Sequence, residues 1–432
     1  MDQRSAVILS AYFPPSTLAG VHRARHLAKH LPAAGWQPIV LCVSEAHHEE
    51  LLDPRLASLV PPDIEILKVG ALPARLTRLA GVGEISLRAW RPLQNALYRL
   101  LERRTVGAVL ITGSPYYPML FARSIKRRFG VPVVLDFQDP WVSNWGKEQP
   151  FFSKAGMAHR LATLLEPRAL QAADFVTSVS DMQNAEMAAR YPWLDVSRMA
   201  ALPIGGDPAD FAALRTASDE TDAVDLEEGF FHLSYVGTLL PHAKALLRVL
   251  FRAFARLRAA EPRLAARMRL NFIGTSNQSA GGAIGRVRPI AETEGVAESV
   301  REIAQRVPYL GALGVLARSD GILLFGSDEP HYTASKIYPA LMCGRPFLSL
   351  FHRASSSHAI LCAAGGGSPW AFETPDELAA LEPSLAEGLR ALALRPESFG
   401  VANREAYAAY EARNIACRFA EIFDRLTSER AL

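Results

Sequence analysis

The chain alternates, twice over, between short unbroken apolar runs and longer segments of helical period. In the first half the runs cover residues 6–11, 39–43, 64–68, 108–111, 131–136 and 175–178, and in the second 231–236, 269–273, 321–325, 346–351 and 370–372. Strands whose hydrophobicity is continuous rather than alternating are covered on both faces. With helices between them, the economical topology is a parallel sheet built of right-handed βαβ units. The pattern therefore predicts an α/β chain with two such sheets. Its 432 residues exceed the length at which a single core usually stops growing. Between the halves, residues 216–229 carry Asp219, Glu220, Asp222, Asp225, Glu227 and Glu228. Like charge without apolar period reads as a solvated linker. The last segment, 403–432, spaces Tyr407, Tyr410, Ile415, Phe419, Ile422, Phe423 and Leu426 helically, which predicts a long amphipathic helix.

Composition removes several classes of function. A chain 49% hydrophobic and 21% charged suits a compact enzyme and not a disordered protein. A formal charge of +3, spread over both halves, lacks the concentrated basic face of a nucleic-acid binder. No run approaches the ~20 apolar residues needed to span a bilayer, and the first is too short for a signal-peptide core. Cys42, Cys343, Cys362 and Cys417 form no CxxC pair and sit in apolar neighbourhoods, so buried free thiols in a reducing cytoplasm are expected.

In parallel α/β sheets ligands bind where strands end, so the loops after the apolar runs carry the chemistry. After the first comes a polar loop through Gly20, then a helix from Val21 with Arg23 and Arg25 in its first turn. Cations there oppose the helix dipole, and either a bound anion or a solvated basic face accounts for them. Neither GxGxxG nor GxxxxGK[ST] occurs. A later run ends in Asp136-Phe137-Gln138-Asp139-Pro140-Trp141. The two carboxylates are placed to act as a base or to bind sugar hydroxyls, or Asp136 caps a turn; Trp141 reads as core. Ser114 to Pro118 is expected beside them on the same rim.

In the second half, Gly237 and Thr238 close the first strand, and a helix from about Ala243 follows. Gly237 allows a close backbone approach to a ligand, and His242 or Lys244 can reach a phosphate. The segment 331–346 reads as loop, helix, Gly terminator and strand, with Thr333 or Ser335 as cap and Pro339 near the helix start. A hydroxyl and Lys336 at a helix start would suit a diphosphate. Alone, the segment also reads as an ordinary capped helix with a solvated lysine.

In order along the chain stand YFPP…AGVHRARHLAKHL…GW, SPYYP, VPVVLDFQDPW, ADFVTSVS, YVGTL and YTASKIYPALMCGRPFL. This set resembles the GT-B glycosyltransferases of the family-4 type, above all the bacterial members that build polysaccharides and surface glycans. The resemblance implies two Rossmann-like domains facing across a cleft, and a final helix that crosses back to the first. On that plan residues 1–212 with about 406–432 form an acceptor domain, 230–405 a nucleotide-sugar donor domain, and 213–229 the acidic linker. It further implies that the Gly20 loop faces the transferred sugar and donor phosphates, and that Gly237, Thr238, Ser335 and Lys336 hold the diphosphate; Arg23, Lys244 and Thr333 join them as binding candidates on the reading of the residues themselves. Asp136 and Asp139 fall on the family's DFRDPW-like segment, with Gln138 in place of Arg. The family's paired glutamates would fall on His331 and Pro339, so neither is present.

The expected reaction moves a sugar from a nucleotide-diphosphate donor to a glycan or lipid-linked acceptor hydroxyl, with retention as the resemblance implies. Lys336 is the expected phosphate clamp and Asp139 the acceptor contact or base. No Asp-x-Asp triplet occurs, so neither a metal nor another cofactor is called for. Two alternatives stay open: a nucleotide-sugar epimerase on the same fold, or a non-catalytic sugar-nucleotide binder. Residues 72–104 interleave seven arginines with leucines, and read either as a basic surface for anionic lipid or as a core-facing helix with a solvated side.

Overall fold

The computed structural model describes residues 4–214, 224–276, 284–327 and 334–431. It divides the chain into two compact units, Met1–Ile204 with Ala412–Leu432, and Gly205–Glu411.

The first unit holds β1 (Arg4–Ser10), β2 (Trp36–Val43), β3 (Glu65–Val69), β4 (Ala108–Gly113), β5 (Val133–Phe137), β6 (Phe175–Ser178) and β7 (Met199–Ala201) in one sheet ordered β3-β2-β1-β4-β5-β6-β7. Every pairing is parallel, with Leu9 opposite both Leu41 and Ile111. Alternate side chains point to opposite faces, and both faces are covered. Val7 and Leu9 pack with Leu93 and Leu97 of the helix Trp90–Arg103. Ala6 and Ile8 pack with Leu27 of Val21–His30 and with Phe419 and Phe423 of the final helix, Ala412–Ala431. That two-sided burial is why the strands carry apolar runs.

The final helix is fastened in the first unit by more than grease. Trp36 lies edge-on to Phe423 at 5.2 Å and its indole N–H donates to Asp424 at 2.9 Å. It starts at Ala412, not at 403: Tyr407 belongs to a short turn of helix, Arg404–Tyr407, and Tyr410 packs on Tyr338 within the second unit. Extended backbone at Glu411 separates the two pieces.

The second unit builds β8 (Phe231–Val236), β9 (Met268–Ile273), β10 (Val300–Ile303), β11 (Gly321–Phe325), β12 (Phe347–His352) and β13 (Gly367–Phe372) into a parallel sheet ordered β10-β9-β8-β11-β12-β13. Eleven of the thirteen strands fall on the apolar runs. The two without a run, β7 and β10, are short, half-exposed edge strands, and a strand covered on one side needs no continuous apolar stretch.

The passage between units comes before Gly205, earlier than the acidic segment proposed as linker. Residues 208–214 already form a helix of the second unit, with Asp210 buried and accepting from the Tyr309 hydroxyl at 2.9 Å. Of the segment itself, 216–223 lies outside the described residues, and Val224 is packed against Ile273 and Val315. The cysteines are all free, but only Cys42 is buried; Cys362 is exposed and the other two are half-buried, which corrects the expectation for three of the four.

Candidate functional site

In each sheet the strand order reverses once, between β1 and β4 and between β8 and β11. At such a switch point the loops leave in opposite directions and open a crevice at the strands' carboxyl ends. Most of the residues singled out from the sequence, as far as they are described, gather at these two places.

At the first switch point the loop after β1 is pinned by its neighbour. The Thr17 hydroxyl donates to the Leu51 carbonyl at 2.8 Å and the Asp53 amide to that of Pro15 at 2.7 Å. Gly20 ends the loop as the residue preceding the helix, and the Gln138 amide donates to its carbonyl at 3.2 Å and to the Thr112 hydroxyl at 2.7 Å. A Cβ on Gly20 would meet the Gln138 Oε1 at 3.1 Å, so its small size sets how close that amide approaches.

Arg23 does not face a ligand. Its Nε donates to Asp136 Oδ2 at 3.0 Å, its two terminal nitrogens to the carbonyls of Leu202 and Pro203, and its guanidinium lies over the Phe419 ring. Asp136 is equally occupied, accepting from Thr112 at 2.6 Å and Thr177 at 2.7 Å. Both side chains are buried at 1% and 0% exposure. The anion inferred opposite the basic helix start is thus the protein's own carboxylate, and the phosphate role expected for Arg23 is withdrawn. So is the catalytic or sugar-binding alternative for Asp136. Arg25 is buried too, against His26 at 2.8 Å and His22 at 3.3 Å.

Asp139 is different. Its surface is open, no side-chain partner holds its carboxylate among the described residues, and the surrounding protein mass raises its pKa by desolvation from 3.8 to about 6. Its backbone carbonyl accepts from the Tyr116 hydroxyl at 2.8 Å, and Tyr116 stacks on Trp141 at 5.4 Å. The SPYYP and DPW segments therefore do share one rim, with Trp141 half-buried against the core.

At the second switch point Gly237 follows β8 with φ +128°, a backbone conformation side chains resist. A Cβ there would lie 3.5 Å from the Lys336 Cε and Nζ. Lys336 reaches over from the loop after β11. Its ammonium donates to the Tyr235 hydroxyl and to the Thr238 carbonyl at 2.9 Å, and stands 4.4 Å from the centre of the Tyr235 ring. Every one of these partners is neutral. Desolvation consequently lowers the Lys336 pKa from 10.5 to about 7.

The rest of the expected phosphate set is mixed. The Gly237 amide donates to the Ile273 carbonyl at 2.8 Å, so this residue contributes space rather than a donor. Lys244 is exposed at the start of the helix Lys244–Ala260 and makes no bond to the Lys336 cluster among the described residues. Ser335 is exposed, and the helix after it, Ile337–Met342, has Lys336 at its capping position and no side-chain cap, against the expected Ser335 cap. Thr333 and His331 lie outside the described residues. Tyr235, which fixes the ammonium, was not anticipated: inside the run Phe231–Val236 an aromatic reads as core, and only the register of the Lys336 loop reveals its second role.

Of the 72–104 segment, Leu93, Leu97, Leu100 and Leu101 are buried, while Leu72, Leu76 and Leu79 stand exposed. Among the described residues no helix is long and apolar enough to cross a membrane.

Residues 19–205 match the model of the glycosyl transferase 4-like domain. A search of curated proteins found no match to the sequence. Among solved structures, the chain resembles Anabaena Alr3699/HepE in complex with UDP and glucose, at 14% identity over 98% of this chain and 100% of that one, TM-score 0.62. It also resembles a UDP-forming α,α-trehalose-phosphate synthase from Burkholderia vietnamiensis, at 12% identity over 99% of each chain, TM-score 0.61. A glycosyltransferase from Rickettsia africae ESF-5 is similar at 13% identity over 99% of each chain, TM-score 0.60. At such identities the structural likeness speaks for the fold.

Proposed function

We propose, for a chain that belongs with the GT-B glycosyltransferases of the family-4 type, that it transfers a sugar from a nucleotide-diphosphate donor held by the second unit to an acceptor hydroxyl met by the first. The observation that carries this reading is the Lys336 cluster: a cation at a switch point, whose partners among the described residues are all neutral, with a depressed pKa. An arriving diphosphate supplies the missing negative charge, and Lys336 becomes fully protonated against it. Such a charge-assisted contact strengthens as the leaving diphosphate gains charge. Uridine diphosphate sugars are the first donors to try, since HepE was solved with UDP-glucose.

Asp139 is the proposed contact to the acceptor hydroxyl. With its pKa near 6 it is ionised at neutral pH yet basic enough to share that proton. We propose retention of anomeric configuration without a protein nucleophile, no metal, and a place in glycan assembly on the cytoplasmic side. The lack of an Asp-x-Asp triplet supports the second of these and the family likeness the first.

The test is a thermal-shift screen of nucleoside diphosphate sugars, followed by product analysis with the stabilising donor and a panel of acceptors. Stabilisation followed by glycosylated product, with its anomeric configuration read by NMR, is expected. Donor binding with only an epimerised sugar would replace transfer by epimerisation, and binding without any chemistry would leave a sugar-nucleotide sensor.

A further inference from the structure

The first unit carries an apolar face that nothing in its own core covers. Trp145, Phe151, Phe152, Met157, Leu161 and Leu164 are between 41% and 85% exposed. They lie on the short helix Asn144–Lys147, the turn after it, and the helix Lys154–Leu170. Residues 157, 161, 164 and 168 recur at helical spacing and so share one face. Monomeric soluble proteins rarely leave so many large side chains together in water.

Charge decides what covers this face. Lys147, Lys154, Arg160 and Arg168 are exposed among the apolar side chains. None of the four has a carboxylate partner among the described residues, and Arg168 donates only to the Leu164 carbonyl. Between Trp145 and Arg168 the sequence has two acids, Glu148 and Glu166. Glu166 is turned inward, 1% exposed, bonded to Arg190 at 2.6 Å and to the Val142 amide at 3.0 Å. The helix has thus internalised its only acid and left its cations outside. In the 72–104 segment three of the seven arginines meet acids instead: Arg78 and Arg88 meet Glu49, and Arg104 meets Glu65.

From this we infer that the face of residues 145–168 docks on an anionic lipid surface, apolar side chains entering the headgroup boundary while the four cations meet lipid phosphates. A basic amphipathic helix with aromatic residues at one end binds in this way, through buried apolar area and attraction to anionic lipid together. A second copy fits poorly, because a two-fold contact through one face would set Lys154, Arg160 and Arg168 against themselves. The docking requires no sugar chemistry and stands apart from the transfer reaction.

The test uses the full chain and vesicles of phosphatidylcholine with and without phosphatidylglycerol, read by sedimentation at low and high salt. Sedimentation is expected with the anionic vesicles, weakening with salt, and little with phosphatidylcholine alone. Lys154→Gln with Arg160→Gln should lower the partition coefficient about thirtyfold, as loss of two surface cations implies. Phe152→Ser with Leu161→Ser should lower it at any salt. All four positions are exposed, and unchanged thermal unfolding together with an unchanged UDP-induced shift shows that each variant is folded. Equal binding to both vesicle types, or undiminished binding by both folded variants, overturns the proposal. So does a concentration-dependent dimer abolished by Phe152→Ser with Leu161→Ser in a chain that ignores vesicles.

Discussion

Two buried polar clusters sit at equivalent places in the two sheets and have opposite character. Beside the β1–β4 switch, Arg23 and Asp136 neutralise each other, and hydroxyls and carbonyls fill the remaining positions. Beside the β8–β11 switch, Lys336 has a phenol and a carbonyl for company and, among the described residues, no anion. A charge whose partners are all supplied from within fixes structure. A charge held among neutral dipoles, with its pKa pulled to about 7, is fitted for a partner that arrives from outside. The same argument separates Asp136, closed in by three donors, from Asp139, open and with its pKa raised.

This contrast breaks most directly at its structural end. Asp136→Ala or Arg23→Ala leaves one buried charge uncompensated, which costs on the order of 3–5 kcal/mol. Chemical denaturation should report that loss, and a midpoint within error of the parent would mean that the pair is not what holds β5 to the first helix.

Next in size, Lys336→Ala should lower transfer by about tenfold or more, as loss of a charge-assisted contact does. It should not destabilise the fold. With the folded pKa near 7 and the unfolded at 10.5, the unfolded chain binds the extra proton between those values. Parent stability should therefore rise with pH across that window, and the variant, lacking the group, should lose the rise and gain slightly in Tm at neutral pH. A fall in Tm would recast Lys336 as a structural residue.

Asp139→Asn comes third. Parent turnover should climb as pH rises through about 6 if the ionised carboxylate meets the acceptor, and the variant's profile should be flat there. The stability sign is opposite to that of a salt-bridged acid. A folded pKa above the unfolded one contributes stability at low pH that is lost as pH rises through 6, so Asn should be neutral or mildly stabilising above it. The smallest effect belongs to Gly20→Ala, where the Gln138 side chain must give by a few tenths of an ångström. A modest rise in KM with little change in Tm is expected from steady-state kinetics.

The sequence made the two parallel sheets legible because burial on both faces leaves continuous apolar runs. It hid β7 and β10 because edge strands need none. At the site, motif position drew attention to Arg23, Asp136 and Lys336 alike, and only three-dimensional pairing separates the neutralised charges from the waiting one. Nothing local could reveal that the carboxylate answering Arg23 lies 113 residues away, or that Tyr235 has a second role. The exposed face of residues 145–168 was missed for a related reason. Its helix is apolar on several sides, and which side the core takes is settled by Glu166 turning inward to Arg190.

The central claim is that the Lys336 cluster waits for a diphosphate, and proton uptake reads it directly. Titrating UDP into the protein at about pH 8 by calorimetry, in two buffers of different ionisation heat, should show nearly one proton taken up per UDP bound, as a lysine with a pKa near 7 becomes charged. The uptake should vanish in Lys336→Ala together with most of the affinity. Binding with the same heat in both buffers, at an affinity that Lys336→Ala leaves intact, would contradict the account.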